Sequence, residues 1–116
     1  QNIIIANTIM STNYKNSLSE IMSKAWYLCR SYSTTFADAL RRAWAWYKLR
    51  TAMRTGVVEF YFTKADGTLR QAFGTLRSDL IGEVKGGERK HYDHLQTYWD
   101  TEKQEYRCFK LINLAI

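Results

Sequence analysis

The sequence contains no proline, so none of its helices or strands is interrupted by one. Cysteine is scarce: Cys29 and Cys108 stand far apart, in different kinds of segment. They read as two reduced thiols in apolar surroundings, with a single long-range disulfide as the alternative. No apolar run approaches the roughly 18 residues that a transmembrane helix needs. The start, Asn2-Ile3-Ile4-Ile5-Ala6, is too short for a secretory signal and lacks a basic flank. The expected location is therefore the cytoplasm, with no membrane partner.

Recognisable chemistry is missing as well. Gly86-Gly87 is not followed by Lys-Ser/Thr or by a helical pattern, which excludes a phosphate-cradling loop of the usual kind. His91-Tyr92-Asp93-His94 is the one cluster with metal-ligand residue types. On an expected strand its two histidines point to opposite faces, and a structural zinc site needs four convergent ligands. The carboxylates are scattered like a solvated surface, so a nucleophile, a base and an orienting group would have to be assembled from distant residues. The expectation is a non-enzymatic protein with no metal and no cofactor.

What the chain does have is aromatic mass and a lopsided charge. Its 116 residues suffice for one domain, or one small domain with an appendage. Aromatics make up 15%, including four Trp and eight Tyr; each such ring buries roughly 150–250 Å², which helps so short a chain to build a core. The net charge is +6. Up to Gly56, eight basic residues face two acidic ones, whereas from Val57 onward nine face nine. An excess confined to one half points to an anionic partner, most often nucleic acid; the alternative is that it keeps an aromatic-rich protein soluble.

Residues 1–16 read as a flexible tail, rich in Asn, Thr and Ser, with a β-branched run at Ile3–Ile5 that suits a short edge strand. Residues 17–55 read as a basic helical hairpin. Ser17-Leu18-Ser19-Glu20 has the form of a capping box. Leu18, Ile21, Met22, Ala25, Trp26 and Cys29 then make one helical stripe, predicting a first helix over about 18–30. Thr34 or Thr35 can cap a second helix with Asp38 in its first turn. That helix is expected to run to about Arg54 and stop at Gly56. Phe36, Leu40, Ala43, Trp44 and Tyr47 form one face of it, and Trp46, Leu49 and Met53 a neighbouring one. So much apolar surface calls for two neighbours: the first helix and the region that follows.

From Val57 the period becomes two, and residues 57–116 read as a β-barrel of four or five short strands. Val58, Phe60 and Phe62 alternate with Glu59, Tyr61 and Thr63 before the turn Lys64-Ala65-Asp66-Gly67. Gly67 in the left-handed region gives a three-residue hairpin loop. That loop pairs Phe62 with Arg70, Phe60 with Ala72 and Val58 with Gly74, so that small residues oppose large rings on the concave face. Residues 82–90 read as a loop, 91–99 as a third strand, 100–104 as a turn and 105–110 as a fourth strand. Leu111–Leu114 suits either a helical turn or a short closing strand. The fold class is α+β: a two-helix hairpin packed on a small SH3-like barrel, whose thin core the aromatic helices complete.

Two stretches carry a family resemblance. Val58-Glu59-Phe60-Tyr61-Phe62-Thr63-Lys64-Ala65-Asp66-Gly67-Thr68-Leu69-Arg70-Gln71-Ala72-Phe73-Gly74-Thr75, and Tyr98-Trp99-Asp100 with Tyr106-Arg107-Cys108-Phe109-Lys110, resemble a WYL-related family of Sm-like, SH3-type β-barrels. It occurs mostly in bacteroidete bacteria, their phages and mobile elements. The helical stretch from Ser19-Glu20-Ile21-Met22 to Phe36-Ala37-Asp38-Ala39-Leu40 is similar to a segment common in mobile-element proteins. The resemblance implies a fold and a setting; it brings no activity with it.

The candidate binding residues follow from charge and rings. Arg41, Arg42, Lys48, Arg50 and Arg54 give the second helix a dense positive field suited to phosphates of DNA or RNA. Tyr61, Phe73, Tyr92 and Tyr98 offer stacking platforms. Arg70, near the barrel mouth, is a further candidate for an anion or nucleotide, with Arg107 as a second donor. The competing reading of Arg70 packs its stem on Phe62 while its head reaches solvent or a carboxylate. A helix-turn-helix is disfavoured, because the second helix spends most of its surface on apolar side chains. The leading expectation is a nucleic-acid-binding accessory or regulatory protein of a phage or mobile element. The alternative is a protein-interaction or oligomerisation module without nucleic-acid binding.

Overall fold

The computed structural model describes the backbone of residues 2–82 and 91–116, with side chains from residue 16 onward. Most of the loop expected over 82–90 lies outside the described residues. The elements are helix α1 (Asn2–Tyr32), helix α2 (Phe36–Thr55), and strands β1 (Val58–Thr63), β2 (Leu69–Thr75), β3 (Leu95–Asp100) and β4 (Glu105–Lys110). Single 3₁₀ turns cover Ser78–Leu80 and Leu111–Asn113. No helix among the described residues is long and apolar enough to cross a membrane.

The chain divides into two compact units, residues 1–44 and 45–116. The sequence placed this division at Gly56, whereas the structure counts the last part of α2 with the strands.

In the first unit α1 begins at Asn2 rather than near Leu18. The expected tail and the expected edge strand at Ile3–Ile5 are both replaced by helical backbone. The reason is visible in the composition: no glycine or proline occurs before Gly56, so nothing local stops the helix from extending. The Ser17–Glu20 segment thus lies inside α1 instead of capping it. The buried stripe is also rotated, to Ile21, Ala25 and Leu28, while Met22 and Trp26 are exposed. Trp26 lies against Phe36 with ring centroids 4.3 Å apart. Ser33, at φ 52°, turns the chain out of α1. Thr35 then caps α2, its hydroxyl accepting the Asp38 N–H at 3.2 Å.

In the second unit β1 to β4 form an antiparallel sheet in chain order. The β1–β2 register is the one the turn dictates: Val58 opposite Gly74, Phe60 opposite Ala72, Phe62 opposite Arg70. Gly67 sits at φ +87°, and Asp66 Oδ1 accepts the Thr68 N–H (3.0 Å) and hydroxyl (2.6 Å), which fixes the loop. β3 starts at Leu95, four residues later than expected, and β4 matches its expected span. The last two residues of β2, Gly74 and Thr75, pair with β3, so β2 turns the corner between the two hairpins.

The closing segment does both things the sequence allowed. After the 3₁₀ turn, Leu114 bridges to Phe62, and the Ala115 N–H donates to the Tyr61 C=O at 2.9 Å. Inside, Phe60, Phe62, Tyr98 and Phe109 form one aromatic cluster: Tyr98 meets Phe60 edge-on at 5.0 Å, and Phe109 stacks on Phe62 at 5.3 Å. The late part of α2 adds Trp46, Leu49 and Met53 to this core. Trp46 Nε1 donates to Gln96 Oε1 (2.7 Å), and the Met53 C=O accepts from the Leu76 N–H (2.9 Å) and Thr75 Oγ1 (3.1 Å).

Candidate nucleic-acid interface

The six cations singled out by sequence fall into three environments. Arg41 and Arg42, in the first unit, share Asp38. Arg41 Nη2 donates to Asp38 Oδ1 at 2.7 Å, and Arg42 Nε to Asp38 Oδ2 at 2.8 Å. Thr34 Oγ1 adds a bond to Oδ2 at 3.0 Å. These hydrogen bonds, Arg42's first, then those of Arg41 and Thr34, hold the Asp38 carboxyl down at about 2. Arg41 remains 68% exposed while Arg42 is largely covered, although both are paired with Asp38.

Lys48, Arg50 and Arg54, in the second unit, sit on the part of α2 that packs with the sheet. Lys48 and Arg54 are exposed and form no ion pair among the described residues. Arg50 is held differently. Its guanidinium lies 4.4 Å from the Trp46 ring centroid and 5.6 Å from that of Tyr47. Trp46 is in turn anchored on Gln96. Cation–π contact of this kind restrains a guanidinium that keeps its charge and can recognise phosphate.

Arg70 belongs to a third setting. Its guanidinium carbon lies 5.9 Å from the Phe62 ring centroid, and its Nη2 donates to Asp100 Oδ2 at 2.8 Å. Asp100 is buried; its Oδ1 accepts the N–H groups of Glu102 (3.0 Å) and Lys103 (3.1 Å). Arg107 Nε lies 3.9 Å from Asp100 Oδ2, while its Nη2 is paired with Glu105 at 2.6 Å. Two arginines and two carboxylates therefore balance here, and Arg70 is committed to a structural pair.

The proposed stacking platforms divide too. Tyr98 is buried in the aromatic core, and its hydroxyl has no partner among the described residues; burial pushes its pKa up. It is therefore not a platform, because it faces inward beside Gly74. Tyr61 and Tyr92 are exposed. The Tyr61 hydroxyl donates to Glu59 Oε1 at 2.6 Å, and Gln71 Nε2 donates to the same oxygen at 2.6 Å. Those bonds keep the Glu59 carboxyl below its ordinary value, so the outer face of β1 and β2 carries a negative charge that repels phosphates.

His91 and His94 precede β3 instead of lying on it, and His91 Nε2 is 3.4 Å from Asp93 Oδ1. No group of three His, Cys, Asp or Glu side chains converges among the described residues. The cysteines are free: Cys29 donates to the Thr34 C=O at 3.2 Å, and Cys108, expected in the core, is exposed on β4.

Sequence reasoning missed Gln96 and Asp100, the residues that orient Trp46 and Arg70. The signal was slight, because a glutamine and an aspartate on a short strand look like solvent-facing positions.

Residues 46–115 match the family model described as WYL_2, Sm-like SH3 beta-barrel fold. No curated protein and no solved structure matches the chain.

Proposed function

From the premise that the chain belongs to the WYL_2 family of Sm-like SH3 β-barrels, we propose that it is a nucleic-acid-binding accessory protein. In this reading it works without catalysis in the cytoplasm, in the setting of a phage or mobile element. The observation that carries the reading is the charge of α2: five basic residues against the single Asp38, with Lys48 and Arg54 exposed and Arg50 lying against aromatic rings. Lys48, Arg50 and Arg54 contact the phosphate backbone. The paired Arg41, Arg42 and Arg70 contribute less, since phosphate binding would have to compete with their carboxylates. Contacts of this kind are blind to sequence and weaken with salt.

The test is binding of labelled single- and double-stranded DNA and RNA across a salt series. Lys48→Glu with Arg54→Glu lowers affinity for every sequence alike. If both contacts are lost from duplex DNA, the slope of log K against log salt flattens by about 0.9 for each. No binding by the wild-type chain discards the reading, and unchanged binding by the double variant discards the site.

A further inference from the structure

We propose that the two helices of the first unit carry a docking face for a third helix, supplied by a partner protein and edged with acidic residues. This goes beyond nucleic-acid binding and uses none of Lys48, Arg50 and Arg54.

The face follows from helical geometry. The short link at Ser33 and the contact of Trp26 with Phe36 (4.3 Å between ring centroids) lay the start of α2 antiparallel beside α1. Ile21, Ala25 and Leu28 of α1 and Ala39 and Ala43 of α2 are fully buried. Each residue turns the helix by about 100°, so Leu18, Met22 and Trp26 flank the buried stripe of α1 on one side. Leu40 and Trp44 flank that of α2, with Phe36 at its edge. Because the Trp26 and Phe36 rings touch, the two flanks belong to one face of the hairpin. Met22 is 37% exposed and Trp26 47%, while Leu18, Phe36, Leu40 and Trp44 are half-buried. A contiguous apolar surface open to solvent marks an interaction site. Residues 2–15 extend α1 along its axis, so they do not fold back over it.

The occupant follows from shape and charge. Two helices side by side leave a groove that a third fills by ridge-into-groove packing. By the same helical spacing, exposed Arg30 stands at the outer edge of α1 and exposed Arg41 at that of α2, whereas Glu20 and Asp38 fall on the far side of their helices. Asp38 offsets only one of the two arginines it binds. The rims of the groove are therefore positive. A second copy would bring Arg30 and Arg41 against like charge, and the chain's net charge of +6 adds to that repulsion. A helix with acidic residues on both flanks of its apolar stripe is complementary to both rims. An anionic membrane fits less well, because it is recognised by clusters of roughly four to eight basic residues.

The experiment uses the full chain, isotope-labelled for NMR, and a blocked helical peptide of about 18 residues, or five turns. The peptide has leucine at every third and fourth position and glutamate on both flanks. Binding should shift the Met22 and Leu40 amides and the Trp26 indole. An analogue with lysine flanks should bind roughly fivefold more weakly. Trp26→Ala should weaken binding by about tenfold or more, as loss of an aromatic anchor does. Met22→Glu, at an exposed position, should abolish it, and Arg30→Glu should narrow the preference for glutamate. If Trp26→Ala disturbs Phe36 and fails to fold, the other two variants carry the test. The proposal is overturned by no binding of the glutamate peptide, by equal binding of the two peptides, or by binding that survives Met22→Glu. Shifts centred on Lys48 and Arg54 overturn it as well, since they would mean attraction to the α2 cations alone. It is equally overturned if Met22→Glu abolishes self-association of the chain, or its binding to vesicles of phosphatidylserine and phosphatidylcholine. The occupant is then a second copy or a membrane.

Discussion

Gly74 lies against the ring of Tyr98 so closely that a β-carbon at position 74 would stand 2.6 Å from Tyr98 Cδ2 and 3.0 Å from Phe60 Cε1. The corner of the sheet is thus built around a missing side chain, and the ring it admits is locked edge-on to Phe60. Gly74→Ala should destabilise the protein by about 1–3 kcal/mol through overpacking. Gly67 gives the contrasting case: a β-carbon there meets nothing within 4 Å, but φ is +87°, so Gly67→Ala should cost about 1–2 kcal/mol from the backbone alone. Combining each change with Tyr98→Leu in thermal unfolding separates the two causes. Only the cost at position 74 should shrink.

Asp38 predicts a dependence on acid. Its carboxyl titrates at about 2 in the folded chain against an ordinary 3.8. A depressed folded value means stability that is fully present above the ordinary value and lost as pH falls toward 2. The difference in unfolding stability between wild type and Asp38→Asn should therefore be constant above about pH 5 and shrink between pH 4 and pH 2. A difference that stays constant down to pH 2 contradicts the role assigned to Arg42 and Arg41.

The buried pair at the barrel mouth should respond unequally to its two partners. Asp100→Ala strands the partly covered Arg70 and the Glu102 and Lys103 N–H groups. It should cost about 3–5 kcal/mol in urea unfolding. Asp100→Asn keeps an acceptor for those N–H groups and should cost less. Equal costs would mean that the backbone bonds contribute nothing.

The unit boundary inside α2 predicts which fragment folds. Residues 45–116 keep Trp46, Leu49, Met53 and the Trp46–Gln96 bond, and should give a dispersed NMR spectrum. Residues 57–116 lose them all and should be insoluble or poorly ordered. A well-dispersed spectrum from the shorter fragment would show that the strands complete their own core.

Local rules account for part of this fold. Alternation from Val58 to Thr63 and the Asp66-Gly67 turn set the β1–β2 register, because side-chain period and loop geometry leave one alignment. The Trp46–Leu49–Met53 face was legible for the same reason, as was a threonine cap, though not whether Thr34 or Thr35 supplies it; each depends on residues within a few positions. The length of α1 was not. A polar, β-branched start reads as a tail by composition, but without glycine or proline nothing obliges the helix to end there. Contacts across 30 to 50 positions were equally out of reach. Arg70 could be given a ring to lie on, but not Asp100 as its partner, and nothing near Gln96 announced Trp46. Whether a cation is free for phosphate or tied to a carboxylate, and whether a tyrosine stacks outward or fills the core, depends on which strands the chain path brings together. No single segment carries that information, because burial and pairing belong to the assembled sheet and not to any one of its strands.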